Sequence, residues 1–86
     1  MVMSEQLREI LKVISKLSNY DVNEGVMNTT IYKRLPNFPK KEIDYKLNEL
    51  ASRGHITTTK SQHSDKLCHI TREGLYAVDL FSKGSK

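Results

Sequence analysis

One cysteine, two prolines, four glycines and no tryptophan occur in 86 residues, and each shortage closes a route. Cys68 stands alone, so no internal disulfide can form. Structural zinc takes about four convergent ligands, and the other candidates, His55, His63 and His69, lack C-x-x-C or H-x-x-x-H spacing. No metal site is expected, and the thiol reads as a small buried apolar group. No glycine-rich phosphate loop is present. No apolar run approaches the ~20 residues of a membrane span, and the Met1 end has no apolar signal core. An intracellular, cytoplasmic protein is therefore expected, with no membrane partner. Aromatics make up 7% of the chain, which leaves no stacking platform for single-stranded nucleic acid. Serine, histidine and aspartate meet at Ser61–Asp65, but a loose polar tip cannot hold one group in hydrogen-bond geometry to another, so no enzyme is expected.

What remains suits a small soluble domain. Hydrophobic residues are 37% and charged residues 28% of the chain. A chain this size buries about 60–65% of its unfolded surface, so its core is thin. One domain over residues 4–82 is expected, with 1–3 and 83–86 as loose termini. Ligand pocket and sensory domain have no room, so neither cofactor nor small-molecule ligand is expected. The formal charge is +4 and unevenly placed: residues 40–72 carry seven Lys/Arg against four Asp/Glu, and the rest seven against six. The excess favours a polyanion partner.

Leu7, Ile10, Leu11, Ile14 and Leu17 repeat at helical spacing, predicting a helix from about Ser4, its N-cap, to Ser18. A polar connection follows over residues 18–28. Val26 and Met27 are expected as a short strand against a later hairpin. Asn28 or Thr29 should cap a second helix, Thr30 to Leu35, that Pro36 ends. Pro39 suits the first position of a third helix reaching Ser52 or Arg53, with Ile43, Leu47 and Leu50 inward and Gly54 as the stop. Ile56 and three threonines predict a strand over His55–Lys60. Ser61–Asp65 is a polar tip, and Lys66–Ile70 returns with Cys68 and Ile70 on one face, Leu67 and His69 on the other. Thr71 caps a last helix, about Arg72–Phe81, and Ser82–Lys86 read as frayed. The fold class is α+β, mainly α: a three-helix core, a β-hairpin and a C-terminal helix.

This order resembles winged helix-turn-helix transcription regulators of the MarR-like and PadR-like kind, over about Leu7–Phe81. Ile31, Leu35, Ile43, Leu47, Leu50, Gly54, Ile56 and Ile70-Thr71-x-x-Gly74 carry the likeness. The resemblance implies a homodimer on double-stranded DNA, the third helix in the major groove and the hairpin, or wing, on the backbone. Pro36-Asn37-Phe38-Pro39 departs from the commonest turn of that group. Pro39-Lys40-Lys41-Glu42-Ile43 is also similar to winged-helix domains that bind left-handed nucleic acid. Their characteristic Asn and Tyr positions are Asp44 and Asn48 here, and their wing Trp and prolines are missing.

Stepping ~100° per residue from Ile43 puts Lys41, Tyr45, Asn48 and Ser52 opposite the buried face, flanked by Glu42, Asp44 and Glu49. Lysine, tyrosine, asparagine and serine supply donors for phosphates and base edges, and Asn48 could pair with an adenine. Lys40 at the helix start and Lys60, Gln62, His63 and Lys66 around the hairpin complete the DNA-binding candidates. Lys33 and Arg34 lie beside the motif. On the last helix Leu75 and Val78 fall on one side, Tyr76 and Leu80 on nearly the other, and Phe81 between. A terminal helix buries one face in its own domain, so Tyr76, Leu80 and Phe81 are expected at a dimer interface. Two readings stay open: a transcription regulator, or a protein-interaction module of a larger complex without nucleic-acid contact. The three acids flanking the third helix favour the second, and the basic excess of residues 40–72 the first.

Overall fold

The first turn of the chain's opening helix shows how local chemistry sets its bounds. In the computed structural model, which describes residues 4–60 and 65–84 and side chains through Leu80, α1 spans Glu5–Leu17. The Ser4 hydroxyl accepts from the Leu7 amide at 3.3 Å, satisfying one of the orphan donors at the helix start. Leu7, Ile10, Leu11 and Ile14 are buried, as their spacing requires. Leu17 is only half-buried, and Ser15 takes the fully buried place on that turn. Its hydroxyl donates to the Lys12 carbonyl oxygen at 2.8 Å, so its burial leaves no unmet donor.

The expected short strand is present as β1, Gly25–Met27. α2 follows at once over Asn28–Arg34, with Met27 at the N-cap position and no side-chain cap bond. Neither Asn28 nor Thr29 is the cap. Asn28 is buried as the first helical residue, and its Nδ2 donates to the Tyr32 hydroxyl at 3.1 Å. Met27 is tied into the sheet, so the helix starts too early for either side chain to fold back over it. α3 runs Lys40–Ser52, with Pro39 one place earlier than expected, at the N-cap.

The end of α3 is closed by a left-handed glycine. Gly54 has φ +82, its amide donates to the Ala51 carbonyl oxygen at 3.0 Å, and the His55 amide donates to Leu50 at 3.0 Å. Those paired bonds form the Schellman arrangement that satisfies the last helical carbonyls. β2, Ile56–Lys60, then pairs antiparallel with β3, Lys66–Ile70, and β1 pairs antiparallel with the other edge of β3. The sheet order is β1-β3-β2. Ile56 faces Ile70 across the ladder and Val26 faces Cys68, and all four are buried.

α4 covers Arg72–Gly84, so residues 82–84 are helical rather than frayed. Thr71 links three elements at its start. Its hydroxyl donates to the Gly54 carbonyl oxygen at 2.7 Å and accepts from the Gly74 amide at 3.0 Å. Among the described residues, four helices and a three-stranded antiparallel sheet thus make a mainly helical α+β fold. Its core gathers Leu7, Leu11 and Ile14 of α1, Ile31 of α2, Ile43, Leu47 and Leu50 of α3, Ile56 and Ile70 of the sheet, and Val78 of α4. Packing against that core fixes the outward face of α3.

Candidate nucleic-acid interface

Because Ile43, Leu47 and Leu50 are fully buried, the opposite side of α3 is held toward solvent. Lys41, Tyr45, Asn48 and Ser52 are all exposed there, Tyr45 at 68%. Shallow depressions run along the stripe, the first lined by Lys41, Glu42, Tyr45 and Lys46 and the second by Tyr45, Asn48, Glu49 and Ser52. Helical stepping does not single out Lys46. It sits half-buried beside Lys41 and adds a second cation to that depression.

Two of the three flanking acids are taken up elsewhere. Asp44 is half-buried and accepts a short hydrogen bond from the Tyr32 hydroxyl of α2. The Tyr32 pKa is pushed up to about 12, first by burial and then by the Asp44 hydrogen bond and charge, so the hydroxyl keeps the proton it donates. Glu49 pairs with Arg53 one turn on, at 3.0 Å. Glu42 remains exposed on the flank. Lys40 lies toward α2, its Nζ 5.7 Å from the Tyr32 ring centroid, within the range of a cation–π contact.

Among the described residues, Lys66 ties the hairpin to the stripe. Lys66, paired with Lys60 at the hairpin end of the β2–β3 ladder, donates from Nζ to Asn48 Oδ1 at 3.0 Å. An ammonium has no acceptor, so the bond fixes which end of the Asn48 amide faces it. The bond takes one of the two lone pairs of Asn48 Oδ1 and leaves the other, with the Nδ2 hydrogens, for an incoming group. Ser52 also differs from its expected part as a donor, since its hydroxyl proton goes to the Glu49 carbonyl oxygen at 2.9 Å. Lys60 is exposed, as are Lys33 and Arg34 at the end of α2. Gln62 and His63 lie outside the described residues.

A second surface lies on α4. Tyr76 is 65% and Leu80 53% exposed, while Val78 is buried and Leu75 half-buried. The helix therefore has apolar residues on both sides, and its own domain covers one. Phe81 belongs to the same helix, and its side chain is outside the described ones. On the other side of α4, Tyr20 unexpectedly lines a depression with Leu75, Val78 and Asp79. It follows Asn19 in the left-handed region, with φ +58 at Asn19 and φ +60 at Tyr20, a conformation uncommon for a bulky residue. Nothing in its polar sequence context marks that placement.

Cys68 is fully buried, and burial pushes its pKa up to about 11, so it is a protonated thiol at neutral pH. Among the described residues no group of histidine, cysteine, aspartate and glutamate could hold a metal ion, and no helix is long and apolar enough to cross a membrane. Comparison with protein-family models, curated proteins and solved structures gives no match.

Proposed function

We propose that the chain is a winged-helix protein that binds double-stranded DNA and serves as a small transcription regulator. In this reading α2, the turn at residues 35–39 and α3 form the helix-turn-helix, and the β2–β3 hairpin is the wing. α3 enters the major groove, and Lys60 and neighbouring hairpin residues meet the backbone. The observation that carries the reading is the Lys66–Asn48 hydrogen bond, which joins hairpin and helix into one donor-rich surface. Pairing of Glu49 with Arg53 adds to it by offsetting one of the acidic charges that phosphate would meet. Bound protein would act by occupancy, blocking or recruiting polymerase.

Duplex binding should weaken steeply with salt, log K falling by about 0.9 per phosphate neutralised. Lys41→Ala and Lys60→Ala should each weaken binding on all sequences alike and lower that slope by about 1. Fluorescence anisotropy on labelled duplexes across a salt series measures both. Absence of binding to any duplex at ~50 mM salt rejects the reading.

The same proposal includes a homodimer through α4, supported by the exposure of Tyr76 and Leu80 beside a buried Val78. Two-fold pairing would set two copies of α3 on half-sites about one DNA turn apart. Sedimentation at micromolar concentration should give a dimer that Tyr76→Glu with Leu80→Glu converts to monomer. A wild-type monomer, or a dimer indifferent to both changes, removes this interface.

A further inference from the structure

Tyr32 of α2 grips two successive turns of α3. Its hydroxyl donates to the Asp44 carboxylate, and the ammonium of Lys40, one turn earlier, lies 5.7 Å from its ring centroid. Asn28 Nδ2 donates to the same hydroxyl at 3.1 Å, so the Tyr32 oxygen accepts on one side and donates on the other. Asn28 directly follows Met27 of β1, so these contacts run from the sheet through α2 to α3. Stability alone does not account for them. Asn28 is buried, and its Oδ1 has no hydrogen-bond partner among the described residues, which costs free energy relative to an apolar side chain of the same shape. α3 also starts without a side-chain cap bond at Pro39. Ile43, Leu47 and Leu50 decide which face of α3 turns inward, but apolar ridges in grooves leave crossing angles scattered by about 15–20°. A directional bond to the first two turns of the helix narrows that range.

Resting on the duplex-binding reading above, we infer that Tyr32 and Asp44 are positioning residues, the bond between them setting the angle at which α3 meets base edges. Base contacts depend on that angle, because hydrogen bonds weaken steeply as they bend. Phosphate contacts depend on it less, because a lysine carries its charge on a flexible four-carbon stem. Tyr45, the residue after Asp44, and Asn48, one turn beyond it, are exposed and carry directional groups of the stripe. As a carboxylate beside that stripe, Asp44 opposes phosphate, so it favours recognition only through the geometry it holds. The pair thereby lowers affinity for all duplexes and raises discrimination among them.

Three substitutions in the full chain separate geometry from charge and from folding. Tyr32→Phe keeps the ring and removes the hydroxyl. Asp44→Asn keeps an acceptor for that hydroxyl and removes the charge. Asp44→Ala removes both, and it carries the comparison if Tyr32→Phe does not fold. Fluorescence anisotropy, below the melting temperature of each protein, compares a duplex that wild type selects from a randomised pool with a scrambled duplex. Tyr32→Phe and Asp44→Ala should lower the ratio of the two affinities by roughly tenfold, about the worth of one directional base contact. Asp44→Asn should keep the wild-type ratio and bind both duplexes more tightly. A bond that served stability alone would lower the melting temperature of Tyr32→Phe or Asp44→Ala and leave the ratio unchanged, and that result overturns the inference. A ratio lost as fully in Asp44→Asn as in Asp44→Ala overturns it too. If wild type retains all sequences evenly, the inference fails and duplex binding stands. If the folded protein retains no duplex, the duplex-binding reading and the inference both fail.

Discussion

Gly74→Ala is expected to destabilise the protein by about 3 kcal/mol, the upper part of the usual range for forcing extra atoms into packed structure. The sign makes the test sharp. Glycine inside a helix ordinarily costs about 1 kcal/mol relative to alanine, so on propensity alone the change in α4 should stabilise. The surroundings reverse it. A β-carbon on Gly74 would stand 2.2 Å from the His55 carbonyl oxygen and 2.8 Å from Ile70 Cγ1. That carbonyl is main chain, and it accepts from the Thr71 amide at 3.1 Å, so it cannot swing aside without loosening the α3–β2 corner. Gly25 provides the control. Its nearest neighbours are side-chain carbons of Leu67, the closest at 2.7 Å, which can move by a rotamer change, so Gly25→Ala should cost less. Thermal unfolding of the two variants measures the difference, at about 4–8 °C per kcal/mol for a domain this size. A Gly74→Ala protein melting at or above wild type would refute the close approach of α4 to His55.

That corner also explains why Ile70-Thr71-x-x-Gly74 could be recognised as a unit in the sequence. Thr71 needs a hydroxyl that both donates and accepts, and Gly74 needs no β-carbon. Both demands are local and show in residue type. The buried faces of α1 and α3 were legible for a similar reason, since a 3.6-residue period survives whatever the partner. Features set by residues far apart in the chain were not legible. Helical stepping puts Asp44 beside the exposed stripe of α3, but its hydrogen-bond partner is Tyr32 on another helix. Lys66 and Asn48 are eighteen positions apart, and the pairing of β3 with β2 brings them together. Asparagine and threonine are good caps in isolation, so residue type alone points to Asn28 or Thr29 as the cap of α2. Pairing of Met27 with Leu67 then fixes where the helix can begin. The continuation of α4 to Gly84 runs through Ser82 and a polar tail whose composition favours fraying.

Legibility bears on function unevenly. The direction α3 faces follows from Ile43, Leu47 and Leu50, which the sequence marks clearly. What the face can recognise depends on which donors and acceptors remain after neighbours take theirs, and that requires the fold. Asn48 and Ser52 illustrate it, one having a lone pair of its oxygen engaged by Lys66 and the other its proton engaged by a carbonyl.

Leu47→Ala should carry the other large effect, a loss of about 2–5 kcal/mol. Leu47 is fully buried and shares one apolar cluster with Leu11 and Ile14 of α1 and Leu50 of its own helix. Truncation removes three carbons from that cluster and leaves a cavity whose walls, on two helices and a sheet, close over it only in part. Single domains hold about 0.05–0.15 kcal/mol per residue, so a chain this short can lose most of its stability at one site. Leu80→Ala is the matched control. The same side chain is deleted where it is 53% exposed, and the monomer should change by less than about 0.5 kcal/mol. Urea titrations followed by circular dichroism, at a concentration below any dimerisation, compare the two. If Leu47→Ala and Leu80→Ala unfold at the same midpoint as wild type, α3 is not anchored where the core places it. Its outward stripe would then have no fixed direction, and Lys41, Tyr45 and Asn48 would share no common face.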